Sequence, residues 1–437
     1  MNEIPQQRTS ARDRVTLICN RSDPEHFRIR DLLTRIAQPF DWFEPDDPRA
    51  KAILENVGTD VDLPVLVDGD SVSTGFTVDS LIEAWNLREL PSRSQYDMAI
   101  VGAGPAGLGA AVYAASDGLS TLVVEREVPG GQASFTSKIE NFFGFPDGIG
   151  GAELARLAGR QAEQFGAELS LLTGANRGWQ NANGSFGLEI DGGSDGAIEV
   201  SASVLLAAPG MDWRRLEIPE LDKLLGRGVY YGTGRSEAAQ CAGDNVAIVG
   251  GGNSAGQAAL QLADATAHVT LLVRGDNLGK DMSAYLVKRI EAHPLIDVHL
   301  RTELVGVEAN DAGVLSAIQF KGADGDVDRQ PVVALFICIG GVPRTAWADE
   351  MGVETGPAGY VLSGPDLLHD GERPAEWPLD RDPLALETNL PGLFVAGDVR
   401  HGSIKRVGAA VGEGSMAVAL AHRRLAEIAE AAVGRAV

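Results

Sequence analysis

Short apolar runs alternate with amphipathic stretches along most of the chain, the pattern of strands followed by helices. In the first ninety residues the runs are brief. Val15–Cys19 reads as a strand, and Pro24–Ile36 has helical spacing with a proline in its first turn. Phe40–Phe43 reads as a second strand and Pro48–Val57 as a second helix. Leu63-Pro64-Val65-Leu66-Val67 leads into Asp68-Gly69, a hairpin turn signal, with Ser71–Thr74 as the return strand. Thr77 is placed to cap a last helix running to Leu87. From Tyr96 the units lengthen. Met98–Val101, an Ala-rich helix to Ala115 and Thr121–Val124 form one strand–helix–strand unit. Val246–Val249, a helix to about Leu262 and His268–Val273 form another. Such units predict parallel sheets flanked by helices, an α/β fold.

The turn after Met98–Val101 reads Gly102-Ala103-Gly104-Pro105-Ala106-Gly107, and Thr121–Val124 ends at Glu125. Strand, Gly-x-Gly-x-x-Gly, helix, strand and acid in this order are the dinucleotide fingerprint. Gly102 permits the tight turn, Gly104 admits a pyrophosphate to backbone N–H groups, and Gly107 lets helix and strand pack closely. Glu125 is placed to accept hydrogen bonds from ribose hydroxyls. The second turn reads Gly250-Gly251-Gly252-Asn253-Ser254-Ala255, with Gly250, Gly252 and Ala255 as Gly-x-Gly-x-x-Ala. No acid ends its partner strand. Arg274 stands there, with Lys280 nearby, and a cation at that place suits a ribose 2′-phosphate, so NADPH is expected rather than NADH.

The 437 residues predict two to four domains. A formal charge of −24 argues against nucleic acid and anionic membranes as partners. No long apolar run and no apolar leader occur, so neither a membrane span nor a signal peptide is expected. Cys19, Cys241 and Cys338 are far apart, with no metal spacing and no disulfide framework, and a cytoplasmic location fits. No metal is expected.

Two fingerprints in one chain point to FAD plus a pyridine nucleotide. Residues 96 to about 430 resemble the low-molecular-weight thioredoxin reductases, flavoproteins of the pyridine nucleotide-disulfide oxidoreductase superfamily. The resemblance rests on Gly102–Gly107, Pro129-Gly130-Gly131-Gln132-Ala133, Glu140-Asn141-Phe142-Phe143-Gly144, Gly250–Ala255 and Gly392-Leu393-Phe394-Val395-Ala396-Gly397-Asp398. It implies that Gly102, Gly104, Pro105, Ala106, Gly107 and Glu125 hold the adenosine and pyrophosphate half of FAD. Gly131, Gln132 and Asn141 would line the flavin face, and Gly397 and Asp398 would hold the ribityl and pyrophosphate. Lys405, Arg406 and Val407 occupy the place of the family's segment near the pyrimidine edge. Gly250, Gly252, Asn253, Ser254, Ala255, Arg274 and Lys280 would hold NADPH. Homodimers are common in the family. The first ninety residues resemble the thioredoxin/glutaredoxin fold, with Pro64 at the place of that family's cis proline.

The departures from the family concern sulfur. The reductases carry a Cys-x-x-Cys just before the second fingerprint; here Thr233 and Ser236 stand at those places. After the first strand, where a thioredoxin fold carries its own thiols, the chain reads Asn20-Arg21-Ser22-Asp23-Pro24. Hydroxyls form no disulfide. Cys19 and Cys241 are expected to be packing residues. Segment Gly356–Leu386 is longer and more polar than the family's hairpin there, and reads as a lid, a partner surface or a solvated insertion. His401, just after the Gly-Asp pair, is the histidine best placed to sit near flavin.

The expected organisation is a tail (1–13), a thioredoxin/glutaredoxin-like domain (14–90), a linker (91–95), a first FAD segment (96–212), an NAD(P)H domain (213–342) and a second FAD segment (343–437). The fold class is thus α/β, two Rossmann-like three-layer nucleotide-binding domains plus an N-terminal thioredoxin-like domain. The expected activity passes electrons from NADPH through FAD to a small molecule, oxygen or a protein, without an internal disulfide. The alternatives are reduction of a thioredoxin-like disulfide, directly by flavin or through Cys241, and a flavin- and NADPH-binding sensor. Candidate catalytic residues are His401, Thr233 and Ser236.

Overall fold

A computed structural model describes residues 14–58, 61–136, 138–193, 196–232 and 241–435. The chain forms two compact units, each made of two separate stretches. One joins the residues up to Trp85 with Arg215–Ile339; the other joins Asn86–Arg214 with the residues from Gly340 onward.

In the first unit, four short strands make a mixed sheet in the order Phe40–Phe43, Val15–Ile18, Val65–Asp68, Ser71–Thr74. Val15–Ile18 runs parallel to Phe40–Phe43 and antiparallel to Val65–Asp68. The Leu63–Pro64 bond is cis. Asp23 begins the helix Pro24–Arg35 by accepting from the N–H groups of Glu25 and His26. Thr77 and Ser80 form a reciprocal cap at Val78–Ala84, a shorter helix than the spacing predicts. Cys19 is fully buried with Arg30 Nη1 at 3.1 Å, and burial outweighs that cation in raising its pKa.

The second stretch of this unit builds an all-parallel sheet in the order Val229–Tyr231, Ala334–Ile337, Asn245–Val249, His268–Val273, Ile296–Leu300. An antiparallel ribbon of Glu303–Ala309, Leu315–Lys321 and Val327–Pro331 accompanies it. Phe27, from the helix Pro24–Arg35, packs against the core around this sheet, its ring 5.2 Å from Tyr230, which stacks on Phe336 at 5.5 Å.

The other unit is organised by one long strand, Ala197–Ala207. Its first half pairs antiparallel with Phe186–Asp191, and its second half pairs parallel with Leu393–Val395. Along its other edge it runs parallel to Gln95–Val101, followed by Thr121–Glu125 and Glu168–Leu171. The Ala-rich helix Pro105–Ser116 packs on the helix Val407–Arg435 so closely that a Cβ added at Gly414 would lie 2.1 Å from the Ala106 carbonyl oxygen. A tight apolar layer of alanines results, many of them fully buried. Both units are α/β with Rossmann-like sheets. Among the described residues no helix is long and apolar enough to cross a membrane.

Candidate functional site

The two glycine loops are built alike, one in each unit. Gly102 has φ 106° and Gly250 φ 147°, values that glycine adopts without strain. A Cβ at Gly102 would lie 2.3 Å from the Ala208 carbonyl oxygen; at Gly250, 2.3 Å from that of Cys338. Each loop thus passes over the carbonyl just beyond the neighbouring parallel strand. Gly104 and Gly252 start the helices Pro105–Ser116 and Asn253–Ala263 with no side-chain cap. Nothing lies within 4 Å of a Cβ placed on Gly104, and only the Asp281 carbonyl oxygen, at 3.9 Å, approaches one placed on Gly252. Each helix therefore offers uncapped N–H groups and open space, the two needs of a bound pyrophosphate.

Around the first loop the fingerprint residues converge. Glu125, 8% exposed, accepts from the Ala103 N–H at 2.7 Å and the Glu127 N–H at 2.9 Å, which fixes its carboxylate at the strand end. Gly130 N–H donates to the Ala103 carbonyl at 2.7 Å, and Gly131 faces Gly104. Gln132 donates to the Met211 carbonyl at 3.0 Å. Gly397 packs on Ala106, which brings the Gly-Asp turn to the same loop. Asn141 is exposed, and among the described residues no hydrogen bond joins it to this cluster.

Two residues that motif reading passes over hold the Gly-Asp turn. Glu413, six residues after Val407 in the long helix, accepts from the Gly397 N–H at 2.7 Å and pairs with Arg400 at 2.6 Å. No local signal marks Glu413, because its partner Gly397 is sixteen residues away in the chain. Asp398 itself receives no hydrogen bond on its carboxylate from the described residues. Burial pushes its pKa up, with the Lys405 cation opposing the rise. Burial likewise pushes Lys405 down. Lys405 Nζ donates to the Asp398 carbonyl and lies 4.4 Å above the Tyr360 ring. Arg406 and Val407 begin the long helix, Ala410 N–H returning to the Arg406 carbonyl at 3.0 Å. A partly buried carboxylate without donors, beside a glycine cradle, fits the hydroxyl-rich middle of FAD.

His401 is half exposed, its Nδ1 3.0 Å from Asp366 Oδ2. Its N–H donates to the Val361 carbonyl at 2.8 Å, and Val361 N–H donates to Val399 at 3.1 Å. The first part of the long polar segment is therefore laid against the Gly-Asp turn. Its far part is anchored by Arg381, which pairs with the fully buried Glu387 and with Glu427, each at 2.6 Å.

At the second loop, Asn253 Oδ1 accepts from the Ser283 N–H at 2.7 Å, tying the following loop to the helix start, while Ser254 is exposed. Ala255 packs beside Gly250. Arg274 and Lys280 are exposed. Thr233 and Ser236 lie outside the described residues. Cys241 is 1% exposed, with Arg21 Nη2 at 3.9 Å from its sulfur. Burial pushes the Cys338 thiol up to about 12.

The sequence matches the model of the pyridine nucleotide-disulphide oxidoreductases over residues 96–414. It is 33% identical over 341 residues to NADPH-dependent thioredoxin reductase 3 of Arabidopsis thaliana, covering 75% of this chain and 58% of that protein. The chain thus spans less than two thirds of the length of that relative. It is 31% identical over 346 residues to a thioredoxin reductase of Listeria innocua, covering 77% of this chain and 96% of that protein. The fold superposes on Lactococcus lactis thioredoxin reductase with a TM-score of 0.66 at 27% identity, covering 76% of this chain and 99% of that one. With these matches lying over both glycine loops and the Gly-Asp turn, the chain belongs to the pyridine nucleotide-disulphide oxidoreductases, among their thioredoxin reductase-like members.

Proposed function

We propose that the protein is an NADPH-dependent FAD oxidoreductase that delivers electrons from flavin to its acceptor without an internal dithiol. The observation that carries the reading is the pairing of two uncapped glycine-started helices with a sequence that has Thr233 and Ser236 where the family's dithiol belongs. Its three cysteines are all buried.

Bound FAD would accept the electron pair that NADPH brings and pass it on. The chain's own part is to hold and orient. Gly102–Gly107 and Glu125 would grip the adenosine and pyrophosphate of FAD; Gly131, Gln132 and Asn141 would line its ring face. Gly397 and Asp398 would hold the ribityl chain, and Lys405, Arg406 and Val407 its pyrimidine edge. Gly250–Ala255, Arg274 and Lys280 would hold NADPH. His401, oriented by Asp366, is the group able to give a proton at Nε2 to a reduced acceptor. The four-stranded N-terminal sheet is read as a thioredoxin-like domain without thiols, and its strand order supports this.

A second reading keeps a thioredoxin-like disulfide as acceptor, reduced through Cys241. The Arg21 guanidinium beside that sulfur favours it, because a neighbouring cation stabilises a thiolate. One experiment separates the readings. The purified flavoprotein is reduced anaerobically with NADPH, and acceptors are screened for reoxidation, using the natural chain and its Cys241→Ser variant. Unchanged bleaching and reoxidation in the variant support the thiol-independent reading. Loss of disulfide reduction in the variant alone supports the second. No bleaching at all would leave a sensor that binds both nucleotides.

A further inference from the structure

The strands His268–Val273 and Ile296–Leu300 run parallel, with Val273 opposite Leu300. Past both strands the ladder ends in a crossed pair of bonds. Arg301 N–H donates to the Gly275 carbonyl at 2.9 Å, and Thr302 N–H donates to that of Val273 at 3.0 Å. These two bonds bracket Arg274. Arg274 and Arg301 therefore both leave the carboxyl ends of adjacent paired strands, joined by these two bonds.

Neither arginine makes a side-chain ion pair or hydrogen bond among the described residues, and both are exposed. Two unpartnered cations side by side are unusual in a chain with 61 acids against 37 bases. Arg301 also has φ 52°, a left-handed conformation that a long side chain rarely adopts. Leu172 has nearly the same φ, 56°, and with Thr173 makes the same two bonds, to Glu127 and Glu125, in the other unit, so the conformation belongs to this strand end and what is particular to Arg301 is its charge. The place is the correct one for a ligand. A Cβ on Gly251 would meet Val273 Cγ1 at 3.0 Å, so the glycine loop rests on the end of the strand that delivers Arg274. Ligands of parallel sheets lie outside the carboxyl ends of the strands.

We propose that Arg301 and Arg274 form a two-arginine clamp for the 2′-phosphate of NADPH, with Arg301 a specificity-determining residue supplied by the next strand. The clamp rests on the reading of NADPH as the electron donor. A phosphate between two guanidinium groups relieves their mutual repulsion and gains charge-assisted hydrogen bonds that the free 2′-hydroxyl of NADH cannot make.

The test is stopped-flow reduction of the flavin-loaded enzyme by NADPH and by NADH. Arg301→Asn is the variant of choice, because asparagine tolerates the left-handed backbone. Arg301→Gln is the second variant, and flavin content and circular dichroism serve as folding controls. The clamp requires a tenfold or greater rise in KM for NADPH, with KM for NADH and the limiting reduction rates within twofold. It also requires weaker inhibition by adenosine 2′,5′-bisphosphate, with inhibition by 5′-AMP unchanged. Equal effects on both coenzymes, or none, would overturn the clamp while leaving the donor reading intact. A natural enzyme that uses NADH as well as NADPH would overturn both.

Discussion

The ring of Phe27 stands 5.2 Å from that of Tyr230, tilted by 44°, so a helix of the N-terminal sheet helps to build the core around the second glycine loop. A Cβ on Gly226 would also meet this ring, at 3.3 Å. Phe27→Ala is expected to cost about 2 kcal/mol, less than the ~3–5 kcal/mol of a fully buried phenylalanine because Phe27 is only partly buried. It should also loosen the core that holds both Cys241 and Cys338, so that peptide-mapped alkylation of the two thiols quickens. Unchanged thiol reactivity would show that the contact does not close this core.

Glu413 is held by a backbone N–H of the Gly-Asp turn and by Arg400. Glu413→Ala removes both and leaves Arg400 without its acid, a loss of about 2–3 kcal/mol. The expected result is protein that folds but is isolated with much less flavin, read from the ratio of visible to ultraviolet absorbance. Glu413→Gln keeps an acceptor for the Gly397 N–H and should retain more flavin than the alanine variant. Full flavin content in both variants would remove Glu413 from the site.

Asp398 has a folded-state pKa raised by burial. Its proton is held more tightly in the folded chain, so its ionised form costs stability at neutral pH, and that cost fades as pH falls through the folded-state value. Asp398→Asn should therefore stabilise the flavin-free protein at pH 7 by roughly 0.5–2 kcal/mol, a usual size for residues kept for function. The gain should shrink steadily as the pH is lowered. Flavin retention should fall in the same variant. Thermal melts of the two apoproteins across pH check the first part, and equilibrium dialysis of FAD the second.

Much of this was legible in the residues. The strands Phe40–Phe43, Ser71–Thr74 and His268–Val273 coincide with the expected strands residue for residue, because local patterning and, for Ser71–Thr74, the Asp68-Gly69 turn decide them. Both glycine loops were legible for the same reason: their chemistry is carried by adjacent residues. What stayed hidden depends on distant pairs. Nothing local in Phe27 or Tyr230 says that they meet. Glu413 looks like any helical surface acid until Gly397 is folded onto it. Arg301 sits in no motif, and only the strand register sets it beside Arg274. The helix after Thr77 ends at Ala84 rather than Leu87.

The interleaving of the two units has a consequence for biosynthesis. Every stretch of the unit that carries the second glycine loop has been translated by Ile339. The other unit is still waiting for Leu393–Val395, which completes the parallel edge of the strand Ala197–Ala207. Those 56 further residues (395 − 339) take about 3–11 s at ~5–20 residues per second. On the ribosome the unit with the second glycine loop can close first, and the other, half-built, must keep its alanine-rich face covered until the chain catches up.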